Sequence, residues 1–155
     1  MRSSMITALA SMLVFAACNS SGDVSTPPAA EDAAMPDAHV IHLDGPRELV
    51  TRDGAFLITW MPIDGAIPIN DHFEVDLTLT RNDEARTPVP GATVSMTCFM
   101  PEHGHGMLRE PRSEDLGDGH YRIRGFLLHM DGYWTVSITV VVDRLAATAD
   151  DELNL

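Results

Sequence analysis

Downstream of residue 38 the chain alternates in steps of two. In HFEVDLTLTR, running from His72 to Arg81, Phe73, Val75, Leu77 and Leu79 face one way, while Glu74, Asp76, Thr78 and Thr80 face the other. Successive side chains of an extended backbone point to opposite sides, so this is a strand with one dry face and one wet face. ATVSMTCFM repeats the pattern with Val94, Met96, Cys98 and Met100, and YWTVSITVVVD repeats it with Trp134, Val136, Ile138 and Val140. AHVIHL, AFLITWM (Ala55 to Met61) and HYRIRGFLLHM, the last placed after an Asp-Gly turn, read as further strands.

Gly, Pro, Asn and Asp clusters separate these runs, and no stretch sustains a helical period. The pattern predicts an all-β domain over residues 39–145, an immunoglobulin-like antiparallel β-sandwich of about seven strands. Residues 146–155 are acidic and are expected to form a frayed tail.

The first 38 residues follow no such pattern. Arg2 and the apolar run from Met5 to Ala17 form a short export signal, too brief to span a bilayer. It ends at Phe15-Ala16-Ala17-Cys18, which resembles a bacterial lipoprotein cleavage site, with Phe15 where Leu or Val is usual. The expectation is a signal peptide over 1–17, a lipid on Cys18, and a tether over 18–38 that is small, polar and Pro-containing. The membrane is then a partner through that anchor. Asn19 follows the cysteine where an Asp would mark inner-membrane retention, so an extracytoplasmic domain on the outer membrane is favoured.

Charge narrows the function classes. Removal of the signal leaves nine arginines and no lysine against twenty-three carboxylates, a net charge of −14. Such a surface repels nucleic acid and offers no basic patch, while it mildly concentrates cations. With Cys18 lipidated, Cys98 is the one remaining thiol, so no intrachain disulfide forms. There is no Gly-x-Ser-x-Gly elbow, His-Glu-x-x-His helix, phosphate-binding loop or Cys-x-x-Cys-His, and no enzymatic activity is expected.

The candidate chemistry lies in MPEHGHGM, Met100 to Met107. In an extended run His103, His105 and Met107 present to one side, and Gly104 and Gly106 between them remove bulk from the other. Imidazole suits copper and zinc, whereas a thioether suits Cu(I) and serves zinc poorly. His129 and Met130 sit near the end of a strand, and a sandwich gathers its strand ends at two poles, so they are candidate partners. The five residues His103, His105, Met107, His129 and Met130 are therefore the metal-ligand candidates, with copper, favoured as Cu(I), the metal. Structural readings stand beside these: Met100 and Met130 as core fillers, Cys98 as a small buried residue, and His129 as a hydrogen-bonded structural group. His39, His42, His72 and His120 are isolated and expected to be solvated.

Met100-Pro101, the His103 to Met107 loop, Gly117-Asp118-Gly119-His120-Tyr121, Phe126, Met130, Gly132 and Trp134 together resemble the pattern of the YtkA-like domain family, related to FixH-like envelope proteins. The resemblance implies an extracytoplasmic β-sandwich, found among metal-handling and oxidase-assembly proteins, without enzymatic activity. Many members carry Met where this chain has His103, and FixH-like members hold to the membrane by a helix rather than a lipid. Two functions follow as expectations: copper sequestration or delivery, or a non-metal immunoglobulin-like module that docks on another envelope protein.

Overall fold

The computed structural model describes residues 39–155; the signal segment 1–17, the tether and the lipidation position Cys18 lie outside the described residues. The alternating runs become strands: β1 (Val40–His42), β2 (Arg47–Val50), β3 (Phe56–Pro62), β4 (Ala66–Pro68), β5 (His72–Arg81), β6 (Thr93–Met100), β7 (His105–Gly106), β8 (Arg112–Gly117), β9 (His120–Leu127), β10 (Tyr133–Val142) and β11 (Leu145–Asn154). Among the described residues there is no helix.

One sheet has five strands in the order β2-β3-β5-β9-β8, a second has four in the order β11-β10-β6-β7, and β1 pairs with β4 alone. Every strand pair is antiparallel. The dry faces meet in one core. Ile58, Trp60, Leu77, Leu79, Tyr121 and Ile123 come from the five-stranded sheet, and Val94, Met96, Cys98, Trp134, Val136 and Ile138 from the four-stranded one. Burying these apolar faces against each other is what holds the two sheets together, at roughly 25 cal/mol per Å² removed from water. The all-β sandwich read from the alternation is the fold.

The strand count and the C-terminus differ from expectation. Eleven strands replace about seven. The added ones, β2, β4, β7 and β8 among them, are short or lie at edges, where a buried alternating face is not needed. The segment expected to fray is β11, paired with β10 along its whole length from Tyr133↔Asn154 to Val142↔Leu145. Its inward positions are Ala147, Ala149, Asp151 and Leu153. Two alanines and a carboxylate conceal the period that larger residues display.

Asp151 is buried because it is saturated. Its Oδ2 accepts from Arg47 Nε at 2.9 Å and from Trp60 Nε1 at 3.1 Å. Its Oδ1 accepts from Arg47 Nη2 and from the Glu152 amide, the latter at 2.8 Å. Two strands across the sheet from Trp60, Tyr121 makes a corner: its hydroxyl donates to the Val89 carbonyl at 2.7 Å and accepts from the Ala92 amide at 2.9 Å. This ties β9 to the chain entering β6.

Candidate metal centre

Local geometry at the end of β6 departs from a simple extended run. The chain turns back at Met100, whose carbonyl accepts from the amides of His103 at 3.2 Å and Gly104 at 2.9 Å. Gly104 takes φ +68°, a left-handed value that glycine adopts without strain. Extended backbone resumes only at β7, where His105 pairs with Met100 and Gly106 with Phe99, and Met107 then donates to the Cys98 carbonyl at 3.2 Å. Strict alternation therefore does not reach His103, which belongs to the turn. Gly106 fits because a Cβ there would lie 3.0 Å from the Cys98 carbonyl oxygen.

His129 approaches from the crossover that carries β9 into β10. That crossover is pinned on both sides. Asn70 donates to the Leu128 carbonyl at 2.7 Å, and Gly132 exchanges amide hydrogen bonds with Leu155 at 2.9 and 3.0 Å. Gly132 sits at φ +126°, and a Cβ on it would stand 2.7 Å from the Met100 Cε. Met100 itself is buried, as the structural reading has it.

These two segments bring the imidazoles into line. The His103 and His105 rings are 5.7 Å apart between centroids, and His105 and His129 are 4.9 Å apart. Trp134, wholly buried, presents an edge-type contact to both, at 6.1 Å from His105 and 5.7 Å from His129. Its indole N–H is taken up by the Met130 carbonyl at 3.1 Å. The Nδ1 atoms of His105 and His129 are both buried without a hydrogen-bond partner, while His103 is exposed. A buried polar nitrogen left without a partner costs about 1–3 kcal/mol, and here two such atoms belong to neighbouring rings.

Met107 and Met130, the other two candidates, are half-buried and pack against the core. Among the described residues, no three of His, Cys, Asp and Glu gather closely enough to hold an ion by themselves. Cys98 lies in β6 with its side chain in the core, and burial pushes its thiol up to about 12. His39, expected to be isolated, accepts or donates at 2.9 Å with Asp131 in the same crossover. His72 meets the Phe126 carbonyl at 3.3 Å and His120 the Thr78 hydroxyl at 3.4 Å.

Sequence reasoning did not assign Trp134 to the site. Its signal was the spacing of Met130, Gly132 and Trp134, which places an indole two steps beyond the glycine that Met100 fills.

The YtkA-like family model matches residues 67–139, from β4 to the middle of β10. This segment is a YtkA-like domain. The match encloses both halves of the histidine cluster, the β6–β7 turn and the β9–β10 crossover of the YtkA-like domain. Neither the curated proteins nor the solved structures compared with the chain gave a match.

Proposed function

We propose that this YtkA-like domain binds copper, with Cu(I) the favoured state, and serves to sequester or deliver the ion. The observation that carries the reading is the His105–His129 pair, with rings 4.9 Å apart and both Nδ1 atoms buried and unpartnered. A metal about 2.0 Å from each nitrogen, with a tetrahedral angle between them, sets two imidazole centroids about 5 Å apart. The thioethers of Met107, one residue past β7, and Met130, next in the chain to His129, are the further donors of choice, and sulfur ligation favours Cu(I) over zinc. The net charge of −13 draws cations towards the surface. In this reading Cys18 carries the lipid that holds the domain outside the cytoplasm, on the outer membrane.

Titration of Cu(I) against a competing chelator tests it. The paired substitution His105→Ala with His129→Ala is expected to weaken binding by about a hundredfold or more. Equal, weak binding by the wild-type and substituted chains rejects a copper role. It would favour the second reading, a module docking on another envelope protein, for which Phe99 at 46% and Leu108 at 80% exposure, on either side of β7, supply an apolar contact.

A further inference from the structure

The three imidazoles are not equivalent. His103 stands on the exposed turn, His105 is half-buried on β7, and His129 is half-buried against Trp134. The spacing runs 5.7 Å and then 4.9 Å, so His105 is the shared neighbour of an outer ring and an inner one. Only the inner two carry orphaned nitrogens. Two nitrogens each about 2.0 Å from one ion place their rings about 5 to 6 Å apart, depending on the angle between them. The outer step lies in that interval and the inner one at its lower edge, although the three together do not form a closed ligand set among the described residues.

Resting on the copper reading above, we propose that His103 is a transfer ligand and not a resident one. It takes Cu(I) from the donor at the surface and passes it inward to His105 and His129. Each step is a ligand substitution. The donor's bond to copper breaks as a bond to the His103 ring nitrogen forms. His105 then adds to the ion, and the His103 bond breaks as His129 takes its place. The oxidation state of copper is unchanged throughout, and no proton needs to move if the entering nitrogen is the one bearing the lone pair.

A bare loop would have to release the ion into water before a buried pair could capture it. An exposed imidazole within reach of His105 removes that step by letting the entering bond form before the leaving bond is lost. Gly104, at φ +68° with nothing within 4 Å of where its Cβ would stand, leaves the turn open on that side. The consequence is kinetic. Equilibrium affinity belongs to the inner pair, and exchange rate belongs to His103.

Stopped-flow transfer of Cu(I) from a bicinchoninate complex to the full chain, followed by recovery with excess chelator, tests this. His103→Ala is expected to keep the wild-type affinity while loading and release both slow by about tenfold or more. His103→Met, which keeps a soft donor, is expected to restore the rates. His129→Ala is expected to lose affinity. Loss of affinity in His103→Ala equal to that in His129→Ala would make His103 a resident ligand and overturn the proposal, as would unchanged rates. If the wild-type chain takes no Cu(I), the copper reading itself fails and the transfer role falls with it.

Discussion

Trp60 donates its indole N–H to Asp151 at 3.1 Å, and the bond crosses the interior from the five-stranded sheet to the four-stranded one. Arg47 reaches the same carboxylate from β2. Burial pushes the Asp151 carboxyl up, but the Arg47 hydrogen bonds, the Glu152 amide, the Arg47 charge and the Trp60 indole together hold it below its ordinary 3.8. A carboxyl depressed by folding contributes stability that is complete above its unfolded value and lost as pH falls through the folded one. Asp151→Asn should therefore destabilise the domain by about 2 kcal/mol at neutral pH. Urea melts at a series of pH values should show the gap between wild type and variant closing below the ordinary carboxylate value. A constant gap down to the most acid point would contradict the assignment.

Tyr121 closes a second corner by serving two backbone groups at once, the Val89 carbonyl and the Ala92 amide. Tyr121→Phe keeps the ring in the core and strands both partners. The expected loss is about 2 kcal/mol, measured as a lower denaturation midpoint with an unchanged slope. A variant as stable as wild type would show that water replaces the hydroxyl without cost.

At Gly132 the cost of a methyl group has two sources. The backbone holds φ +126°, which L side chains rarely adopt, and the Met100 Cε fills the space the Cβ would take. Gly132→Ala is expected to destabilise by about 1–3 kcal/mol. Met100→Ala relieves the collision but not the backbone strain, so calorimetry should find Gly132→Ala still destabilising when it is added to a Met100→Ala chain. Disappearance of its cost in that background would assign the whole cost to crowding.

Cys98 is 5% exposed, and burial lifts its thiol to about 12. The thiolate is the reactive form, so the native thiol should resist a maleimide or disulfide reagent at pH 8 and react once denaturant opens the sandwich. Rapid labelling of Cys98 in the folded chain would show that β7 lifts from β6 locally.

The strands legible from sequence are those with large apolar residues on one side: alternation alone bounds β5 at His72 and Arg81, and it marks each inward residue of β6 and β10. β11 escaped because its interior is two alanines and an aspartate whose burial depends on Arg47 and Trp60, about a hundred residues earlier in the chain. The short β7 and β8 lacked any inward apolar pattern. For the cluster, His105 and His129 were nameable from chemistry, but their adjacency depends on the crossover being pinned by Asn70 and Leu155. The separation of His103 from the inner pair depends on a turn that the alternating glycines only hinted at.

The crossover has a consequence for the life of the folded chain. His105 rides on β7, and His129 on the link that leaves one sheet for the other. In the copper reading proposed above, an ion gripped by both would rivet the seam between the layers. Prising the sandwich apart would demand that the ion leave first, so unfolding and release become one event. A loaded molecule should outlast an empty one against heat and proteases, by a margin that grows with the free ion around it. The turnover of the protein would then keep a tally of the cargo it carries.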